Sequence, residues 1–213
     1  MTTESATPRG QLCIWTGVDP AHDEDFNRWY DREHMQERVA IPGIQSARRF
    51  RAIGDAQRPY LALYDSDHLE VFRSAAYRSA FANQTEWSLR NFARMRDTQR
   101  RVGELAIELG EGEGGTLALF VVPAGQVSLE TLREKLARAR EESDIVRAAV
   151  LCTDVSLSSP LIADAPPATA DALVMIESTH ADSGLAQARA LAAELGLPEE
   201  GVHSFGMMWR LGA

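Results

Sequence analysis

The chain has 213 residues, of which 45% are hydrophobic and 25% charged, and its formal net charge is −9. This length supports one large domain or two small ones, and the negative charge argues against a partner held by neutralising nucleic-acid phosphates. No apolar run is long enough to cross a membrane as a helix, and residues 1–10 carry no hydrophobic signal region, so a cytoplasmic location is expected.

In chain order, QLCIWTGV (11–18) reads as a strand and residues 23–39 as a helix ending before Pro42-Gly43. IQSARRFRAI and RPYLALYDS follow as strands across a Gly54-Asp55 turn. Residues 67–82 read as a helix, 86–94 as another capped by Thr85, and 98–107 as a closing strand. LGEGEGG (109–115) has four glycines, two glutamates and little to bury, the composition of a flexible linker. Beyond it the order repeats: TLALFVV, a helix over 128–142 capped by Ser128, IVRAAVLCT, DALVMIES, a helix over 183–195, and VHSFGMMWRL. Two β-α-β-β-α-β units form a ferredoxin-like pair. Each unit covers only one face of its sheet with helices, so the two remaining faces are expected to pack together as a tandem barrel. Cys13 and Cys152 lie in apolar runs without CxxC spacing and are read as buried, reduced thiols.

The halves differ chemically. Residues 1–110 hold 15 arginines against 16 acids, whereas the remainder holds 7 basic and 15 acidic residues. Twelve of the fifteen aromatic residues, including every tyrosine, also precede residue 110, which places any small-molecule site in the first half.

The first helix carries an anomaly. At roughly 100° per residue, Trp29, Tyr30 and Ile41 form one arc, with Glu33 and Glu37 in its middle and His34 at its edge. Arg28, Arg32, Met35 and Val39 fall on the far side. Carboxylates on a buried face are costly unless paired, hydrogen-bonded or protonated, so the helix is expected to face a cavity, a cation or a partner. Tyr30 and His34 are four residues apart and His34 and Glu37 three, which lines up three proton-carrying groups. That arrangement suits general acid–base catalysis. The structural alternative has Glu33 and Glu37 bridging to Arg48, Arg49 or Arg51 on the next strand.

Alternation on that strand puts Arg49 and Arg51 on one face and Arg48 on the other with Ile44 and Phe50. Arg49 either holds a substrate oxyanion beneath the helix or pairs with the acids of the second half. Tyr60 and Tyr64 share a face, and Trp15 lies on a neighbouring strand; such a wall suits a planar ligand or a packed core. The acids around His22 read as a helix cap, and no second cluster completes a metal site. No phosphate loop, nucleophile elbow or nucleotide fingerprint occurs, so no cofactor is expected.

WYDREHM followed by IPG resembles the Y-x-x-x-H-x-P…PG pattern on the first helix of EthD-like proteins in the dimeric α/β-barrel superfamily. Tyr30, His34, Pro42 and Gly43 stand in matching places, with Gln36 where the family often has proline. SARRFRA, YLALYDS and the Trp87-Ser88 helix extend the resemblance over the first half, and the second half matches in topology alone. The resemblance implies an α+β fold with two tandem ferredoxin-like units, 1–108 and 116–213, packed sheet to sheet as a pseudo-dimeric α/β barrel. The superfamily includes cofactor-independent isomerases, quinone-forming monooxygenases and haem proteins. The expected function is therefore proton-transfer chemistry in a small-molecule pocket: isomerase or lyase action, or cofactor-free oxygenation, on an aromatic-derived acid, lactone or phenol. A non-catalytic binding or assembly protein of the same fold is the alternative. In the enzymatic reading His34 is the acid–base group and Tyr30 and Glu37 orient it. Glu33, Arg49, Trp29, Tyr64, Trp15 and Trp87 are the expected substrate-binding residues. The expected partner is a small-molecule ligand, with a homodimer left open, and neither nucleic acid nor membrane.

Overall fold

Among the described residues, eight strands and five helices follow the order read from the sequence. The computed structural model describes residues 7–159 and 168–212, so the reading of residues 1–10 lies partly outside the described residues. The first half contains β1 (Gly10–Val18), α1 (Asp23–Trp29, Tyr30–His34 and Met35–Val39 in continuous succession), β2 (Ile44–Ala52), β3 (Tyr60–Ser66), α2 (Ala75–Ala82), α3 (Glu86–Phe92) and β4 (Met95–Leu109). The second contains β5 (Thr116–Pro123), α4 (Leu129–Ala139), β6 (Ile145–Thr153), β7 (Asp171–Ser178), α5 (Ala181–Glu194) and β8 (His203–Gly212). Among the described residues no helix is long and apolar enough to cross a membrane.

The strands close into one antiparallel barrel in the order β1-β3-β2-β8-β5-β7-β6-β4. Within each half the order is fourth, first, third, second, as in a ferredoxin-like unit. The halves join edge to edge, with Arg48 opposite Arg210 across β2 and β8, and Leu105 opposite Leu151 across β4 and β6. An open sheet edge presents unpaired backbone groups, and closure pairs them.

Three cores result. Cys13, Trp15, Phe50, Leu63, Leu119 and Phe205 fill the barrel. Outside it, α1 lays Phe26, Trp29, Tyr30 and Met35 on Tyr60, Ala62 and Tyr64. In the second half α4 and α5 lay Leu132, Leu136, Ala188 and Leu191 on Phe120, Val150 and Val174.

Five details depart from the sequence reading. The helix over 23–39 contains a π turn at Tyr30–His34, where the Met35 N–H reaches back to the Tyr30 carbonyl. One extra residue in a turn rotates everything after it by about 100°. Met35, expected on the far side, is therefore fully buried with His34 and Arg38, while Glu33 and Glu37 move from the middle of the face to its half-exposed flank. A register shift between Ile44 and Ser46 likewise changes the parity of β2. Ile44 packs under α1 with Ala47, whereas Arg48 and Phe50 face the barrel. The expected helix over 67–82 is a 3₁₀ turn (Leu69–Arg73) and then α2, because Ser74 adopts extended backbone and its hydroxyl caps the Tyr77 N–H. The glycine-rich connection does have something to bury: Gly114 is enclosed, donates its N–H to Glu177 at 3.1 Å, and has no room for a Cβ beside the Ser178 backbone. Cys152 is only half-buried, whereas Cys13 is fully buried and desolvation pushes its thiol up to about 12.

At one end of the barrel Arg48 donates to Glu177 at 2.9 Å, Arg147 reaches the same carboxylate at 2.8 Å, and Arg147 also pairs with Glu108 at 2.7 Å. Arg48 is 1% exposed and Glu177 2%. Removing one member of a buried pair leaves an uncompensated charge, so Glu177→Ala is expected to destabilise by about 3–5 kcal/mol in urea unfolding. Replacing Arg48, Arg147 and Glu177 together with Met or Leu should restore most of that loss. Equal losses for the single and triple variants would contradict this account of the barrel end.

Candidate functional site

The π turn makes the site. It brings His34 and Arg38, four residues apart, onto the buried face above Tyr64 of β3. His34 is enclosed by rings: its centroid lies 4.3 Å from Trp29, 5.1 Å from Tyr30, 5.6 Å from Phe92 and 6.4 Å from Tyr64. Burial, with the charges of Arg38 and Arg49, holds its pKa well below the usual imidazole value. The ring is therefore neutral at pH 7.

Three polar atoms here are buried without a hydrogen-bond partner: His34 Nδ1, Arg38 Nε and Tyr64 Oη. A narrow cleft with no room for a water molecule is lined by Arg38 and Tyr64 together with Leu12, Ile44, Phe72 and Tyr77. The Tyr64 hydroxyl neighbours that of Tyr30 without reaching hydrogen-bond geometry, and burial pushes both phenols up. Arg38 is tethered at its tip, where Nη2 donates to Gln84 Oε1 at 3.0 Å.

Arg49 turns toward α1 and not toward the second half. Its guanidinium donates to Asp31 at 3.1 Å and Asn27 at 2.9 Å, and lies 4.1 Å over the Tyr30 ring. Its Nη1 and Nη2 groups are thus engaged, and its charge acts on Tyr30 and His34 through space. The pairing with second-half acids falls to Arg48 instead.

The acids of α1 take neither of the arrangements expected for them. Glu33 accepts from Thr85 at 2.6 Å and Ser88 at 3.3 Å, tying α1 to the start of α3. Among the described residues no hydrogen bond joins Glu37 to His34 or to an arginine of β2; its carboxyl is raised by partial burial and by Glu33. Trp29 donates to Ser88 at 3.0 Å and Trp87 to Asp25 at 3.2 Å, so both indoles brace α1 against α3. Trp15 lies on the opposite face of the sheet, inside the barrel. Hence Tyr30, His34 and Tyr64 are brought together, Trp29 packs against them, Glu33, Glu37 and Trp87 stand at the rim, and Trp15 is separate.

The residues missed from sequence are Arg38, Phe72 and Tyr77. Arg38 had a signal in its i, i+4 spacing from His34. Phe72 and Tyr77 depend on the turn at Ser74, which the apolar pattern of 67–82 conceals. Among the described residues no group of three or more His, Cys, Asp or Glu is placed to hold a metal ion.

No family model and no curated protein matches the sequence. Solved structures do match in shape. An anthrone oxidase-like protein superposes with a TM-score of 0.66 at 10% identity, over 100% of this chain and 96% of the other. The chain has the dimeric α/β-barrel fold. A putative monooxygenase from Fusobacterium nucleatum superposes at 0.54 with 9% identity, over 98% and 95% of the two chains. A chlorite dismutase variant from Candidatus Nitrospira defluvii superposes at 0.56 with 9% identity, over 96% and 92%.

The neutral state of His34 sets a pH dependence. An unfolded histidine takes up a proton near its ordinary pKa of about 6.5, and the folded chain withholds it. Stability should therefore be complete above about pH 6.5 and decline as pH falls toward the lower folded value. His203, also depressed by burial and by Arg58, adds to the slope. Urea midpoints between about pH 7.5 and 5 should fall for wild type and fall less for His34→Gln, with the His203 share remaining. Identical slopes would mean that His34 titrates normally.

Proposed function

We propose that the chain is a cofactor-independent enzyme that removes a proton from a small phenol or enolisable acid at His34 while Arg38 holds the resulting oxyanion. The observation that carries this reading is that three buried polar atoms without a partner, His34 Nδ1, Arg38 Nε and Tyr64 Oη, belong to neighbouring side chains: the His34 and Tyr64 rings lie 6.4 Å apart, and Arg38 and Tyr64 line one cleft. Each such atom costs about 1–3 kcal/mol, a loss that packing alone does not demand and that a substrate oxygen would offset.

The chemistry follows from the charges. A neutral imidazole accepts the substrate proton, and the negative charge left on the substrate oxygen is met by Arg38 at close range and by Arg49 beneath Tyr30. Before the anion forms, burial and, after it, those arginines depress His34; once it forms, it offsets the arginines' share and raises the basicity of the ring. The base thus strengthens as its product appears. Tyr30 and Tyr64 stay protonated and supply neutral donors, Trp29 and Phe92 fix the imidazole plane, and Glu37 stands at the rim where a proton can leave. The EthD-like pattern at Tyr30, His34, Pro42 and Gly43 supports this reading, as does the description of one structural neighbour as anthrone oxidase-like. Deprotonation of an enolisable ring is a first step common to isomerisation, elimination and oxygenation. Substrate entry requires the Leu69–Ala82 segment, which carries Phe72 and Tyr77, to move away from Arg38.

Absorbance of 4-nitrophenol tests the proton transfer without knowledge of the natural substrate. In buffer below the pKa of the free probe, wild type is expected to generate the red-shifted phenolate band. His34→Gln should abolish it, and Arg38→Met should weaken the apparent affinity by about tenfold or more. Binding of the probe as neutral phenol, or a band unchanged in both variants, would overturn the assignment.

A further inference from the structure

A second cavity lies on the other side of the sheet. It has a volume of about 230 Å³ and opens at the barrel end opposite the Arg48–Glu177 pair, lined by Trp15, Arg58, Gln99, Phe120, Pro198 and His203 among others. Both halves build it: Trp15 and Gln99 are opposite residues on β1 and β4, His203 opens β8 beside Leu119 of β5, and Pro198 precedes the short Glu199–Gly201 turn.

Its polar groups are held in place and turned toward donation. Arg101 grips Asp171 through Nε and Nη2 at 2.8–3.1 Å, and Thr153 donates to the same carboxylate at 2.5 Å. Arg101 then donates Nη1 to Gln99 Oε1 at 2.7 Å. With its oxygen occupied by a cation, the Gln99 amide has N–H groups left to offer. Trp15 Nε1 donates to the Arg58 carbonyl at 2.8 Å, which fixes the indole, and the Arg58 guanidinium lies 5.5 Å over that ring. Arg58 Nε is used by the Asp97 carbonyl at 2.6 Å, leaving the two Nη groups. The nearby carboxylates are otherwise engaged, Asp171 by Arg101 and Asp97 by Gln57 at 3.0 Å. His203 stands edge-on to Trp15 with centroids 4.6 Å apart.

We propose that this cavity is a second small-molecule site, separate from the one beneath α1, and that it takes a planar aromatic monocarboxylate. The anion meets Arg58 and the Gln99 amide, and the ring lies against Trp15 and Val121. An apolar cavity of roughly 150 Å³ holds benzene, so this volume suits one ring bearing a carboxylate. A guanidinium over an aromatic floor recognises that shape through a charge-assisted hydrogen bond and stacking.

Calorimetric titration of the full chain with benzoate, and with benzamide as its neutral match, tests the site. Benzoate should bind, and benzamide should bind at least about tenfold more weakly. Arg58→Gln should weaken benzoate by roughly 10- to 100-fold, as expected for losing a hydrogen bond to a charged group. Gln99→Leu should weaken it less. His34→Gln should leave the affinity unchanged, since that residue lies on the opposite face of the sheet. No benzoate binding, equal affinity for the two probes, or an affinity lost in His34→Gln and kept in Arg58→Gln would each overturn the proposal.

Discussion

Four strands in each half leave two sheet edges unpaired, and everything else in this molecule follows from joining them. A free edge is a row of unmet donors and acceptors, and here β2 meets β8 and β4 meets β6 within one chain. Closure creates an interior, a helix layer outside it, and two faces on every strand with distinct chemistry. It also makes the second half a support for the first: Trp209 of β8 donates to Asp31 at 2.8 Å, and the same Asp31 oxygen receives Arg49, the cation beneath Tyr30. The second half thus helps hold the buried cation of the first in place.

Residues on adjacent positions of β2 show how far the two faces diverge. Arg48 enters the barrel and is paired with Glu177, whereas Arg49 passes under α1 and stacks on Tyr30. Two neighbouring arginines, both buried, thus enter an ion pair with Glu177 on one side and a stack on Tyr30 with a bond to Asp31 on the other. A π turn sacrifices regular i to i+4 bonding, and in return it moves His34 and Arg38 onto the inner face.

Most of the fold was legible from the sequence. The repeated β-α-β-β-α-β order and the caps at Thr85 and Ser128 are set by local patterns that the structure shares, whereas the cap at Ser74 interrupts a stretch read as continuous helix. The candidate site was legible by some of its residues and not by its geometry. Tyr30 and His34 stand out in any reading of WYDREHM, but their relation to Glu33, Glu37 and Met35 depends on a single inserted residue in one helical turn. Hydrophobic periodicity assumes a constant step, and a π turn breaks it without altering composition. The bulge in β2 has the same effect at period two. Trp15 was grouped with Tyr64 because both are aromatic and their strands neighbour each other, and only the pleat separates them onto opposite faces.

The proton-transfer account rests on one property, an imidazole held neutral among aromatic rings and beside two arginines with a nitrogen free to accept. Long-range proton–nitrogen correlation spectra of uniformly ¹⁵N-labelled protein read that property directly, with His34 assigned by its disappearance in His34→Gln. The account predicts the nitrogen shifts of a neutral ring that persist well below about pH 6.5, the ordinary histidine value, and that change when a phenol is added. A His34 ring that protonates near that ordinary value, with shifts indifferent to the phenol, would contradict it.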